Sequence, residues 1–146
     1  MDKIIINTDG GSRGNPGPSA IGVVISDGKG KILKKYNQAI GKATNNEAEY
    51  HAVIFALEKA KLFFGKIKSK TIDIEMKLDS ELVVKQINHQ YRLKEDRIKD
   101  LFIKIWNLMI DFNSVNFTHI PREENKQADK LVNEALDDQS EEAKLF

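Results

Sequence analysis

The chain has 146 residues, 40% of them hydrophobic and 31% charged, which fits one ordinary globular domain and excludes a disordered chain. The absence of cysteine excludes disulfides and thiolate metal sites, and the net charge of +1 means that any attraction to a polyanion must come from a local patch. No apolar run approaches the roughly 18 residues of a membrane-spanning helix, and the first residues lack a signal-peptide pattern, so we expect a cytoplasmic protein without membrane contact.

Three strands are predicted at the start of the chain. Lys3 to Asp9 contains three adjacent isoleucines, which is typical of a strand buried on both faces. Ala20 to Ser26 and Lys31 to Ala39 are the next two, and the glycines of residues 27–30 supply the turn between them. Their short connections predict an antiparallel meander.

Helices and strands alternate in the rest of the chain. Thr44 and Glu47 form a capping-box pattern at the start of a helix that ends at Gly65. Strict alternation predicts a strand over Thr71 to Leu78, and a fifth strand follows over Ser114 to Ile120. Apolar periodicity predicts three more helices: one with Leu82, Val83, Gln86 and Ile87 on its inner side, one over about Lys94 to Phe112, and one over about Glu124 to Leu136.

The order of elements predicts an α/β fold with a five-stranded mixed sheet, three antiparallel strands followed by two parallel ones, and helices on both faces. Ligands of such sheets collect beyond the strand ends. The acidic stretch from Asp137 to Glu142 is predicted to be a frayed tail. The chain is therefore divided into a domain of residues 1–136 and a C-terminal tail of residues 137–146.

Four carboxylates fall at positions that could form one site. Asp9 and Asp79 each close a predicted strand, Glu49 lies on the sheet-facing side of the first long helix, and Asp129 lies early in the last helix. Each also has an ordinary structural interpretation. Asp9 could form a turn, Asp79 and Glu49 could cap helices, and Asp129 could be a surface acid.

Taken together, the four acids indicate a metal site. Four converging carboxylates would repel one another and raise each other's pKa, and a divalent cation removes that cost. Oxygen ligands without a histidine or cysteine cluster favour Mg²⁺ or Mn²⁺ over Zn²⁺. Two such ions could clamp the attacking and leaving oxygens of a phosphoryl displacement.

Four sequence blocks, in order and on the expected elements, resemble the ribonuclease H family, type 1. The blocks are Thr8-Asp9-Gly10-Gly11-Ser12-Arg13-Gly14-Asn15-Pro16-Gly17-Pro18, Thr44-Asn45-Asn46-Glu47-Ala48-Glu49, Leu78-Asp79-Ser80 and Asn125-Lys126-Gln127-Ala128-Asp129. The resemblance extends to about Leu136 and implies the ribonuclease H-like fold. It also implies hydrolysis of the RNA strand of RNA–DNA hybrids, leaving 5′-phosphate and 3′-hydroxyl ends.

The resemblance also implies roles for individual residues. Asp9, Glu49, Asp79 and Asp129 would bind two Mg²⁺ ions, for which Mn²⁺ could substitute, and Asp9 would bridge them. His119 and Arg122 are alternatives for the residue that assists turnover. The implied substrate-binding residues are Gly10, Gly11, Ser12, Asn15, Asn45, Asn46 and Lys85. The glycines of the first block are expected to let the backbone approach a nucleic-acid strand, and the asparagines to read the RNA minor groove.

Two departures from the family pattern bear on the substrate. The six residues between Ile87 and Lys94 leave no room for the basic insert of many bacterial members, and Glu81 stands where many relatives have Gln. Contacts to the DNA strand would then come from basic residues, helped by Tyr91 or by Trp106, although Trp106 is expected in the core. The basic residues are Lys85, Arg92, Lys94 and Lys99.

Three interpretations stay open. The first is a monomeric hybrid-specific endonuclease, the second a broader nuclease that also cleaves double-stranded RNA, and the third an inactive nucleic-acid-binding module. The presence of all four acids argues against the third.

Overall fold

The computed structural model describes the backbone of residues 2–145 and the side chains of residues 2–142. Within that range the strands are β1 (Asp2–Ser12), β2 (Gly17–Asp27), β3 (Ile32–Ala43), β4 (Ile72–Leu78) and β5 (Ser114–His119). The helices are α1 (Asn45–Phe64), α2 (Lys66–Ser69), α3 (Glu81–Ile87), α4 (Asp96–Met109) and α5 (Lys126–Leu145), with a 3₁₀ turn at Arg122–Glu124.

The five strands form one mixed sheet in the order β3-β2-β1-β4-β5. β1 pairs antiparallel with β2 and β2 with β3, whereas β4 runs parallel to both β1 and β5. The predicted fold class is therefore confirmed. In the register of β1 and β4, Thr8 lies opposite Leu78, so Asp9 and Asp79 follow at the same edge of the sheet.

The two faces of the sheet are covered unequally. On one face α1, α3 and α4 enclose the main core, whose fully buried side chains include Tyr50, Leu57 and Ile105. On the other face α5 packs on β1, β2 and β3, where the buried cluster consists of Ala20, Val132, Ala135 and Leu136. Helices on both faces agree with the prediction.

α1 begins and ends as its sequence predicts. The Thr44 hydroxyl accepts from the backbone N–H of Glu47, and the Glu47 carboxylate accepts from the backbone N–H of Thr44, so the capping box is complete. Gly65 ends the helix with a φ of 87°, a conformation that glycine adopts without a steric penalty. The helix thereby presents Glu49 in its second turn, close to the sheet.

α5 is longer than predicted. It continues to Leu145 through the acidic stretch that we expected to fray, and it starts at Lys126 because residues 122–124 form the 3₁₀ turn. Within that stretch, Asp137 accepts a hydrogen bond from the guanidinium of Arg13 at 2.6 Å. Good helix formers such as Glu, Gln and Ala extend a helix that is already packed against a sheet. Residues 137–146 as a separate unit remain a prediction.

Two side chains predicted to be buried are exposed. Val83, Val84 and Ile87 form the inner face of α3, while Leu82 is 46% exposed. In α4 the buried positions are Ile98, Leu101 and Ile105, and Trp106 is 65% exposed. Both errors follow from the helical phase, because each residue lies about 100° around the helix from a buried neighbour.

α4 is shorter than its predicted span by about two residues at its start and three at its end. Among residues 2–145, no helix is both long and apolar enough to cross a bilayer.

Candidate active site

Three of the four predicted carboxylates meet at the carboxyl edge of the sheet. Asp9 and Asp79 are brought together by the parallel pairing of β1 and β4, and Glu49 reaches them from α1. One carboxylate oxygen of each lies within 4.8 Å of the oxygens of the other two. Residues forty and thirty positions apart in the chain thus form one group that could hold a metal ion.

The approach of Glu49 depends on Gly10. A Cβ atom at this position would lie 2.3 Å from the backbone carbon and oxygen of Ala48 and 2.5 Å from the backbone nitrogen of Glu49. The missing side chain therefore lets α1 lie directly against β1. We expected Gly10 to admit a nucleic-acid strand, but its side-chain position is filled by the protein's own helix.

Gly22 allows a similarly close approach of α5 to the sheet. It lies opposite Asp9 in the pairing of β1 and β2, and a Cβ atom there would lie 2.4 Å from the backbone oxygen of Ala128. The first turn of α5 thereby approaches the sheet, and Asp129 is close enough for its charge to raise the pKa of Asp9. Gly22 was not predicted as a site residue, although a glycine inside a run of β-branched residues is a recognised sign of close backbone approach.

Burial and mutual repulsion make the ionised carboxylates unfavourable. Burial, followed by the charges of Asp79 and Asp129, raises the pKa of Asp9 to about 8. Burial is also the main cause of the raised pKa of Glu49, with the charges of Asp9 and Asp79 next. The Oε2 atom of Glu49 is buried without a hydrogen-bond partner. An unpartnered buried oxygen among repelling acids suits a hard cation.

Asp79 is the least perturbed of the three. Burial raises its pKa, while a hydrogen bond from the Asn125 side chain and the charge of Arg122 oppose the rise. Arg122 also lowers the pKa of Glu49 and lines the cleft that contains the acids. His119 is exposed at the end of β5, opposite Leu78, and is not among the residues that line the cleft.

Asn125 is a site residue that the sequence analysis left without a role. Its side chain donates to the backbone oxygen of Thr8 at 2.9 Å and accepts from the side chain of Asn7 at 3.1 Å, and it is only 1% exposed. Its backbone oxygen accepts from the N–H of Asp129. Asn125 therefore joins β1, Asp79 and the start of α5. Its position within a matching block was the only available signal.

The glycine-rich loop between β1 and β2 is fixed to the start of α1. The Asn45 side-chain oxygen accepts from the backbone N–H of Ser12, and the Asn15 side-chain oxygen accepts from the backbone N–H of Asn45, both at 3.0 Å. The Ser12 hydroxyl lies within hydrogen-bond distance of the backbone oxygens of Gly14, Gly17 and Ala43, and it can donate its single proton to one of them at a time. Ser12, predicted to bind substrate, therefore has its hydroxyl engaged within the loop.

Two clefts adjoin this region. The acids lie in one of about 530 Å³, which Gly10, Gly11, Ser12, Arg13 and Asn45 also line. Asn46 lines the second, of about 490 Å³, together with Gln86, Tyr91, Arg92 and Lys94. Because Asn45 and Asn46 are adjacent in α1, the start of this helix separates the two clefts.

Lys85, predicted to bind substrate, is engaged by neighbouring side chains. Its ammonium lies 2.6 Å from the Glu81 carboxylate and 5.2 Å from the centre of the Tyr91 ring. The hydrogen bond from Lys85 is the main cause of the lowered pKa of Glu81. A phosphate at this position would compete with the Glu81 carboxylate for the three N–H donors of Lys85.

Comparison with known proteins identifies relatives over nearly the whole chain. The family described as Reverse transcriptase-like matches residues 7–135. The Ribonuclease HI of Halobacterium salinarum is 43% identical over 130 residues, which are 89% of this chain and 62% of that protein. This chain therefore spans less than two thirds of that relative's length.

Two further relatives are covered almost completely. The Ribonuclease H of Clostridium botulinum (strain Hall) is 32% identical, and the alignment covers 94% of this chain and 98% of that protein. LC11-RNase H1, whose crystal structure was solved in complex with an RNA/DNA hybrid, is 47% identical in sequence to this chain. The two structures superpose with a TM-score of 0.88, covering 93% of this chain and 98% of that chain. The chain belongs to the ribonuclease H family, type 1.

Proposed function

We propose that this protein is a metal-dependent endonuclease that hydrolyses the RNA strand of RNA–DNA hybrids and leaves 5′-phosphate and 3′-hydroxyl ends. The observation that carries the proposal is the group of Asp9, Glu49 and Asp79, whose carboxylate oxygens lie within 4.8 Å of one another. The similarity to LC11-RNase H1, whose structure contains an RNA/DNA hybrid, supports the choice of substrate.

Four side chains would hold a pair of Mg²⁺ ions, for which Mn²⁺ could substitute. Asp9 is the central ligand in this proposal, since it neighbours Asp79 across the sheet and Asp129 across the α5 contact. Bound ions of this kind lower the pKa of an attacking water and stabilise the departing 3′ oxygen. Asn125 would hold the Asp79 carboxylate in a fixed orientation by donating to it.

Arg122 is the stronger of the two candidates for a residue that assists turnover. It lines the cleft with the acids and its charge acts on Glu49 and Asp79, so it is close enough to orient a phosphate. His119, the last residue of β5, lies outside the lining and would need a movement of the strand end or of its own side chain to take part.

Selection of the RNA strand would come from amide donors beside the acids. Asn15 and Asn45 use their side-chain oxygens within the protein, which leaves their amide N–H groups for 2′-hydroxyls of the substrate. Gly11 and Ser12, beside them in the cleft, would contact the same strand through backbone groups. Asn46 would contact the duplex at the division between the two clefts.

The DNA strand would lie over the second cleft. Arg92 and Lys94 line it, and Lys85 and Lys99 lie on the adjoining helices. Lys85 can join them with a remaining N–H donor, in competition with its contact to Glu81. With few basic groups available, we expect modest affinity for the hybrid and a steep dependence on salt.

A cleavage assay tests this function. Labelled RNA–DNA hybrid, double-stranded RNA and single-stranded RNA are incubated with the protein and Mg²⁺, Mn²⁺ or a chelator. We expect cleavage of the hybrid that a chelator abolishes, and much slower cleavage of the other substrates. Equal cleavage of all three substrates would contradict hybrid specificity, and binding without cleavage would support the inactive module.

Double-stranded RNA is the second candidate substrate. It is retained because only residues 88–93 stand where many relatives have a basic insert, so contacts that favour DNA in the second strand are few. A monomer in the cytoplasm remains our working proposal for the state and location of the protein.

A further inference from the structure

The end of the molecule opposite the carboxylates concentrates positive charge. Residues 59–70 contain five lysines and no acid, so they carry +5 while the rest of the chain carries a net −4. Three of these lysines are exposed: Lys66, Lys68 and Lys70. Residues 59–70 are called the basic end below.

Large apolar side chains are exposed among these lysines. Leu62 is 75%, Phe63 46% and Ile67 87% exposed. Lys61 is paired with Asp111 at 3.1 Å, which joins the end of α1 to the segment after α4, where Ile110 is 78% exposed. Exposed apolar patches that are rimmed by polar residues are typical of interaction sites.

A recess adjoins the basic end. It has a volume of about 450 Å³, and its lining includes Lys3, Lys29, Lys68, Leu33 and Phe64. The two acids that line it are engaged: Asp27 accepts from the backbone N–H groups of its own turn, and Asp2 lies 3.9 Å from Lys68. Lys3 is also paired, with Glu75 at 3.0 Å, so the recess has an apolar floor and a rim on which three lysines exceed two acids by one positive charge.

This surface is separate from the proposed active site. Asp2 lies in the recess and Asp9 among the carboxylates, so they are seven residue steps apart along the extended β1, a span of about 23 Å. A ligand of the basic end therefore does not need to touch the substrate cleft.

We propose that the basic end docks an acidic peptide segment of another protein, one that also carries large apolar side chains. Charge complementarity selects the acidic residues, and the exposed Leu62, Phe63 and Ile67 select the apolar ones. A nucleic acid would leave these apolar groups without a partner, because its backbone presents phosphates. A flat lipid surface would leave the recess unfilled.

Fluorescence anisotropy with the whole protein tests the proposal. The probe is a fluorescein-labelled peptide, Asp-Glu-Asp-Glu-Leu-Asp-Phe-Leu. One control peptide has Ser in place of its apolar residues, and a second has Asn and Gln in place of its acids. We expect binding of the probe at 0.15 M salt, and binding weaker by about tenfold or more for either control.

Matched variants locate the binding site. Lys66→Glu/Lys68→Glu and Leu62→Ser/Ile67→Ser should each weaken binding of the probe by about tenfold, while Lys104→Glu/Lys130→Glu, with the same charge change elsewhere, should not. Hydrolysis of the hybrid should be unchanged in the first two variants. The docking surface and the proposed function are thus tested by separate readouts.

Several results would overturn the proposal. They are no binding of the probe, equal binding of the serine control, an equal effect of the control variant, and displacement of the probe by duplex DNA. Binding to vesicles of anionic lipid without binding of the peptide would assign the surface to a membrane. Self-association in sedimentation velocity that the basic-end variants abolish would assign it to a second copy of this chain.

Discussion

The two faces of the sheet contribute to the proposed site in different ways. α1 delivers Glu49 from within the main core, where its neighbours Ala48, Ala52 and Val53 are fully buried. α5 delivers Asp129 from a helix whose buried apolar side chains, within the described range, are Ala128, Val132, Ala135 and Leu136. A helix embedded in a large core holds its carboxylate rigidly, whereas a thinly packed helix can shift at lower cost. We therefore expect Glu49 to be held in place by the main core and Asp129 to be able to shift with α5.

The largest expected effect is on catalysis. Asp79→Asn should lower the rate of hybrid cleavage by about a thousandfold, because it removes a charge from the three-carboxylate group. Asp129→Asn, on the helix that can shift and outside that group, should lower it by only about ten- to a hundredfold. Single-turnover rates measure both, with circular dichroism as the control for folding. Equal losses would contradict the distinction between the faces.

Glycine substitutions compare the faces by stability. Gly10→Ala forces a methyl group into the backbone of α1 and should cost about 3 kcal/mol in the free energy of unfolding. Gly22→Ala meets the backbone of α5 at a similar distance but should cost only about 1–2 kcal/mol, because α5 can move away. Urea unfolding monitored by far-UV circular dichroism gives the free energy of unfolding of both variants. A larger cost at Gly22 would show that α5 is the more rigid helix.

The pH dependence of stability probes the point where the faces meet. The pKa of Asp9 rises from 3.8 in the unfolded chain to about 8, so between these values the folded state binds more protons than the unfolded state. Stability of the metal-free protein should therefore fall as the pH rises from about 4 to 8. At pH 8, Mg²⁺ should raise the Tm by several degrees, and at pH 5 by much less. A Tm that rises with pH between about 4 and 8 would contradict a raised pKa of Asp9 in the folded protein.

The smallest effect is expected at the ion pair between the loop and α5. Arg13 and Asp137 are both exposed, so a double-mutant cycle with alanine should give a coupling energy of about 0.5 kcal/mol. Thermal unfolding at low and high salt measures it. A coupling energy several times larger would mean that the acidic part of α5 is held firmly. The helices on the two faces of the sheet would then differ less in rigidity.

The layout of the site could be predicted from the sequence because strand ends determine it. Asp9 and Asp79 lie at the carboxyl ends of buried strands. Parallel pairing of those strands places the two residues side by side at one edge of the sheet. Glu49 follows from the capping box, since Thr44 and Glu47 fix where α1 begins. Strand ends and helix caps depend on residues that are close together in the chain, so one sequence is enough to predict them.

Other features depend on contacts between distant segments and could not be predicted in this way. Gly22 looks like a weak point in a strand until α5 is seen against it, and Asn125 looks like a helix cap until its bond to Thr8 is known. The exposure of Leu82 and Trp106 was within reach, since the phase of each helix is set by its other apolar residues. The length of α5 was underestimated because the acidic residues 137–142 are typical of an unfolded tail, although they continue the helix.

The register of β1 against β4 limits how such a chain can change in length. Since neighbouring side chains in a strand point to opposite faces, one residue inserted into β4 would turn Asp79 away from Asp9 while leaving the hydrogen-bonded ladder intact. Length variation among descendants of this sequence should therefore be confined to the connections, such as residues 88–94, and be absent from the two central strands.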